Sequence, residues 1–181
     1  MTIAADNANA VIPDSGTTIS ATAGDHTILL SGTNNVLSAT GGTEYVMAFH
    51  GGNSITTGAG NDTIRFGGSG NTIDGGSGAN HLEDSGSNNT IVLPSGGNGT
   101  DDIYGSVFQN GDTFDLRPML AQTGWNGDPS ALGDYVSVNS NGVDATISVS
   151  RTGAGGASYD VATIRDAGSI GLDALLSHSL V

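Results

Sequence analysis

Gly58-Ala59-Gly60-Asn61-Asp62-Thr63-Ile64-Arg65-Phe66 runs straight into Gly67-Gly68-Ser69-Gly70-Asn71-Thr72-Ile73-Asp74-Gly75. Both nonapeptides open on glycine, pass through a polar residue and reach an isoleucine at the same offset. Stepping outward by nine gives Ile19, Ile28, Leu37, Val46, Ile55, Ile64, Ile73, Leu82 and Ile91, an aliphatic at every step. In an ordinary chain only about a quarter of residues are of that kind, so the series is not accidental. Two residues before each aliphatic stand Thr17, His26, Asn35, Glu44, Asn53, Asp62, Asn71, Asn80 and Asn89. Four before stand only glycine, serine and threonine.

The physical reading follows from this spacing. A three-residue β-segment turns its middle side chain inward and its neighbours outward, and the intervening glycines allow the tight turns. One strand plus one turn uses nine residues, so a closed coil uses two such halves. The predicted fold is all-β: a parallel β-roll, or β-solenoid, of nine-residue half-coils, about 18 residues per coil. Ile19, Leu37, Ile55, Ile73 and Ile91 should line one sheet, and Ile28, Val46, Ile64 and Leu82 the other. Each contributes roughly 1.5–3 kcal/mol on burial, but only if another coil covers it, so stability comes from the stack. Residues two past the aliphatics (Leu30, Ala39, Ala48, Phe66, Leu93) are expected to fill the corners.

Composition narrows the function. The chain has 181 residues, 18 acidic and 4 basic, a net charge of −14, and no cysteine. Four scattered arginines make no basic face, so phosphate-led nucleic-acid binding and attraction to anionic membranes are not expected. No apolar stretch is long enough to cross a bilayer as a helix. Thiolate chemistry is excluded with the cysteines. The start, Met1 to Asn7, has no positive n-region or apolar core of a cleaved signal peptide. Export, if it occurs, is expected to read another part of the chain.

The repeats resemble the repeats-in-toxin (RTX) nonapeptide family, whose pattern is G-G-x-G-x-D-x-U-x. Gly58 to Arg65 is the nearest match, with Gly67 to Ile73 and Gly75 to Leu82 beside it. In that family the sixth-position aspartate and turn carbonyls hold calcium between coils. The resemblance thus implies weak calcium sites near Asp62, with Glu44, Asn80 and the turn residues Gly60 and Ala59 as partners. Asparagine fills most of the column, however, and calcium wants six to eight oxygens and carboxylate charge. Asn53, Asn71 and Asn89 are expected to form a hydrogen-bonded stacking ladder instead, in a roll largely independent of calcium.

The expected organisation is a leader or cap over residues 1–16, the degenerate roll over 17–104, and a small, mainly antiparallel β capping region over 105–181. Pro94 to Thr100 reads as a turn cluster and Asp101 to Tyr104 as one last offset strand. Asp112 to Leu116 reads as a strand, Met119-Leu120 and Ala131-Leu132 as short helical turns, and Leu172 to Leu176 as a final one. Tyr135–Val138, Ala145–Val149 and Val161–Ile164 alternate as half-buried strands do. The stretches Gly111 to Leu116, Asp134 to Val138, Ser150 to Gly156 and the tail from Leu172 resemble the C-terminal target region of type I secretion substrates. That resemblance implies export by the type I machinery to the outside or surface of a Gram-negative cell.

No catalytic constellation emerges. The four histidines are dispersed, no nucleophile elbow exists, and the neighbours Glu83-Asp84 and Asp101-Asp102 are expected to be solvated charge pointing to opposite faces. Outward threonines suggest an ice-binding array, but Val36, Tyr45, Arg65, Asp74, His81 and Glu83 interrupt it. Tyr45, Tyr104 and Trp125 are the only aromatic hint of polysaccharide binding. If Met1 is the true start, no enzyme domain is attached. The expected function is then a non-enzymatic extracellular building block (matrix, surface or filament) that self-associates end to end. A calcium-responsive binding or secretion module that folds after export is the alternative.

Overall fold

The computed structural model describes residues 1–22, 24–94 and 99–181. Most of the turn expected over Pro94 to Thr100 lies outside them. All nine aliphatics of the series are buried, none more than 1% exposed. They sit at the centres of strands that alternate between two parallel sheets. In one, β3 (Thr18–Ala21), β5 (Val36–Ala39), β7 (Ser54–Thr56), β9 (Thr72–Asp74) and β11 (Thr90–Val92) stack so that Ile19, Leu37, Ile55, Ile73 and Ile91 are consecutive partners. In the other, β4 (His26–Leu30), β6 (Glu44–Ala48), β8 (Thr63–Phe66) and β10 (His81–Asp84) align Ile28, Val46, Ile64 and Leu82. The result is a β-solenoid of about five turns, 18 residues apart. Leu30, Ala39, Ala48, Phe66 and Leu93 close its corners, all buried.

Residues read as a leader place two strands on the first coil. β1 (Thr2–Ile3) pairs with β3, and β2 (Ala8–Ile12) pairs with β4, Ala10 opposite Ile28. Beyond Leu93 the spacing lengthens while the stacking persists. β12 (Asp101–Tyr104) lies on β10 with Ile103 opposite Leu82, and β13 (Thr113–Asp115) lies on β11 with Phe114 opposite Ile91. The inward column is unbroken, since Ile103 follows Leu82 and Phe114 follows Ile91.

The C-terminal region continues both sheets. β14 (Val136–Ser140), β15 (Ala145–Ser150) and β16 (Ser158–Ile164) form an antiparallel meander. β16 then joins β12 in parallel, Ile164 opposite Ile103, which makes this sheet mixed. The two-residue β17 (Ser179–Leu180) adds to β13. Helices α1 (Arg117–Leu120) and α2 (Leu172–Ser177) and a 3-10 turn at Pro129–Asp134 occupy the expected helical positions. The final order is β1-β3-β5-β7-β9-β11-β13-β17 in one sheet and β14-β15-β16-β12-β10-β8-β6-β4-β2 in the other. Among the described residues no helix is long and apolar enough to cross a membrane.

Candidate functional site

The residues two before each inward aliphatic form two buried polar columns, one beside each sheet. A buried side-chain oxygen must find a donor or carry a desolvation cost of about 1–3 kcal/mol, and here the donor is the backbone of the preceding coil. In the first column Asn35 Oδ1 accepts from Thr17 N–H at 2.8 Å, Asn53 Oδ1 from Asn35 N–H at 2.9 Å, and Asn71 Oδ1 from Asn53 N–H at 2.8 Å. Asn89 Oδ1 serves Asn71 N–H at 2.9 Å, and Asp112 Oδ1 ends the series on Asn89 N–H at 2.7 Å. The amide ladder is therefore mainly side chain to backbone. One direct amide–amide bond, Asn71 Nδ2 to Asn89 Oδ1 at 3.1 Å, joins neighbouring side chains. Asn53 and Asn71 also donate from Nδ2 to turn carbonyls, to His50 at 2.7 Å and Gly67 at 2.6 Å. Asn89 Nδ2 donates to the Asp84 carboxylate at 3.3 Å, and Asn35 Nδ2 has no partner among the described residues.

The second column carries charge. Asp62 Oδ1 accepts from Glu44 N–H at 2.9 Å, Asn80 Oδ1 from Asp62 N–H at 3.0 Å, and Asp101 Oδ1 from Asn80 N–H at 3.0 Å. His26 Nδ1 stands 3.2 Å from Glu44 Oε1, both side chains fully buried. Burial pushes the Glu44 carboxyl up to about 7; His26 opposes the shift and Asp62 adds to it. Burial likewise lifts Asp101 to about 7, against the two bonds from Asn80, with repulsion from Asp74 and Asp62 in support. In the amide column burial raises Asp112 to about 6, against the bond from Asn89 and with Asp84 close by.

Asp101 and Asp84 correct the expectation of solvated charge. Asp101 is fully buried at the foot of the second column, whereas its neighbour Asp102 is half-buried and pairs with Arg165 on the outer side of the strand. Asp84 is 8% exposed and accepts from Gly86 N–H at 2.6 Å. Their neighbours in sequence do face outward, as alternation requires. The columns' continuation to Asp101 and Asp112 is missed by the nine-residue step, because 21 and 23 residues separate them from Asn80 and Asn89. Each still lies two residues before a large apolar side chain, Ile103 and Phe114, and that offset is the signal that finds them.

For calcium, the fit rests on free oxygen. Glu44 Oε2, Asp62 Oδ2, Asp101 Oδ2 and Asp112 Oδ2 are buried and make no hydrogen bond among the described residues. The other expected donors are engaged: Asn80 Oδ1 by Asp62 N–H, and the Ala59 carbonyl by Gly42 N–H at 2.9 Å. Gly60 donates its N–H to the Ser77 carbonyl at 3.0 Å. Among the described residues no three His, Cys, Asp or Glu side chains converge as a metal-holding group. Of the expected side-chain donors, Glu44 and Asp62 are the ones that keep an unbonded oxygen among the described residues.

Outside the columns, the nine-stranded sheet presents a polar and aromatic face. Arg65 Nε donates to Glu83 Oε2 at 2.6 Å, and its Nη1 to the Tyr45 hydroxyl at 3.4 Å. His81 Nε2 lies 2.9 Å from Glu83 Oε1 and its ring 4.7 Å from that of Tyr104. His81, followed by Arg65, holds the Glu83 carboxyl below its usual range. Tyr45 and Tyr104 thus share one face, while Trp125 sits in the loop after α1 with its indole N–H on the Asp128 carbonyl at 2.8 Å. His50 is exposed on a turn and His178 caps α2. The interruptions of the threonine array also sort by sheet. Tyr45, Arg65, His81 and Glu83 belong to the nine-stranded sheet, while Val36 and Asp74 stand among Thr18, Ser54, Thr56, Thr72 and Thr90 on the other. Compared with protein-family models, curated proteins and solved structures, the chain matches none.

Proposed function

We propose that this protein is a non-catalytic RTX-like β-roll, exported by a type I machinery, that serves as an extracellular structural building block and associates end to end. The observation that carries this reading is the pair of open strand edges at each end of the solenoid. β1 and β2 close the sheets at one end, β17 and β14 at the other, and none has a partner on its outer edge among the described residues. β2 is the longer of the first pair and leaves Val11 64% exposed. Such edges present unpaired N–H and C=O groups that pair readily with another chain. A head-to-tail contact of this kind does not close and yields a filament.

Electron microscopy and sedimentation of the purified protein test it. Filaments or a concentration-dependent series of oligomers, shortened by a proline at Val11, are expected. Monomers at all concentrations, with calcium or with chelator, would overturn it. Export is tested separately by expressing the chain beside a type I transporter, where loss of residues 105–181 should abolish release.

The orphaned second oxygens of Glu44 and Asp62 favour one further reading, a calcium-responsive module that folds after export. Calcium would neutralise carboxylates whose burial is otherwise costly. Circular dichroism separates the two. A coil-to-sheet transition near millimolar calcium supports the responsive module, and a folded roll in chelator supports the building block.

A further inference from the structure

The outer face of the nine-stranded sheet carries a trough that neither the columns nor the strand edges explain. Its volume is about 340 Å³, and it lies between Phe49 and Tyr104. Both rings are unusually open for large apolar groups, Phe49 at 50% and Tyr104 at 37% exposure. The floor is the Arg65–Glu83 ion pair, with Ser85 at the side. Next to Phe49 in the stack stands Gly67, where a Cβ would approach the Phe49 ring at 3.5 Å and Ser85 Oγ at 2.8 Å, so a side chain there would crowd two of the lining residues.

The sheet itself orders the lining. Arg65, Glu83 and Tyr104 are consecutive partners on β8, β10 and β12, at strand spacings of about 4.8 Å. Phe49 directly follows β6, the strand on the other side of β8. The groups are also held before any ligand arrives. Tyr104 is braced by His81 and by Arg165, whose guanidinium lies 5.7 Å from the ring centre. Glu83 is fixed by both Arg65 and His81. Of the five N–H donors of Arg65, two are used in these contacts.

We propose that this trough is a saccharide subsite that takes one neutral hexopyranose ring of a polysaccharide. A pyranose has an apolar C–H face and a polar rim of hydroxyls. The aromatic walls match the first, and the Arg65–Glu83 pair, offering both a donor and an acceptor, matches the second. The volume lies at the small end of the roughly 300–1,000 Å³ typical of ligand pockets, which suits a single ring. A neutral sugar is indicated because Arg65 is already compensated by Glu83, Asp84 also lines the trough, and the chain carries −14 overall. The subsite does not depend on end-to-end association; a monomer would keep it.

Affinity electrophoresis through gels cast with dextran, laminarin, galactomannan or hydroxyethyl cellulose, and with alginate or polygalacturonate for comparison, tests the assignment. Retardation by at least one neutral polymer is expected, weakened tenfold or more in Phe49→Ala and in Tyr104→Ala, with the circular dichroism spectrum unchanged. Both side chains are at the surface, so the variants should fold. Arg65→Gln should weaken retardation less than either ring deletion. Absence of retardation by all neutral polymers, retardation by the acidic ones alone, or retardation that survives both ring deletions would overturn it. Sedimentation of the same samples reads association independently, so a failed sugar site and a failed filament are distinguishable.

Discussion

Asn71 shows how one side chain can serve three masters in this fold. It accepts from Asn53 N–H, donates to the Gly67 carbonyl and bonds the next amide, Asn89. Asn71→Ala therefore leaves a backbone N–H and a carbonyl buried and unpaired. At about 1–3 kcal/mol for each such group, chemical denaturation should show a loss of about 2–5 kcal/mol. A loss below 1 kcal/mol would mean that the ladder is ornamental. The amide column was legible from sequence because asparagine recurs at a fixed offset from the aliphatic. That the amide oxygens serve backbone rather than one another was not legible, since spacing carries no information about which donor lies nearer. The eighteen-residue coil already sets His26 over Glu44, but it does not tell that the imidazole meets the carboxyl at 3.2 Å while both are buried.

Among the elements, the strands contribute side-chain contact and the turns set how closely coils approach. Ile73 is packed between Ile55 and Ile91 and fully buried. Ile73→Ala should cost about 2–5 kcal/mol, as large-to-small core changes do, with the same measurement as the check. The turns discriminate more sharply. Gly78 has φ +124° and a Cβ there would collide with the Gly60 carbonyl oxygen, whereas Gly70 has φ +72° and open space around it. Gly70→Ala should cost only the roughly 1–2 kcal/mol of a left-handed alanine. Gly78→Ala must also force two coils apart, and should lower the melting temperature clearly further. Strands β3 to β11 were readable because their centres are large and aliphatic. The pairing of β2 was obscured because nine residues before Ile19 stands the small Ala10, and that of β12 and β13 because the loops before them lengthen.

At the scale of the whole molecule, the buried carboxyls set a pH response. Unfolded aspartate and glutamate lose their protons near about 4, whereas Glu44 and Asp101 hold theirs in the fold to about 7 and Asp112 to about 6. Between those values the folded chain binds more protons than the unfolded one, so stability must fall as pH rises from about 4 to about 7. In chelator the melting temperature should be several degrees higher at pH 5 than at pH 8, and Asp112→Asn should flatten the slope while keeping the bond to Asn89 N–H. An opposite slope would mean that these groups are ionised and paired in the fold. The two faces of the coil also differ: the column beside one sheet is mostly amide, and the column beside the other holds Glu44, Asp62 and Asp101. A gene duplication that copied eighteen codons would keep each residue in its own hydrogen-bonded series and lengthen the rod by one rung, whereas copying nine would exchange the two columns downstream and set the Asn53–Asn71–Asn89 run in line with Glu44 and Asp62. Growth of such proteins in evolution should therefore proceed in whole turns, and their lengths should differ by even numbers of nonapeptides.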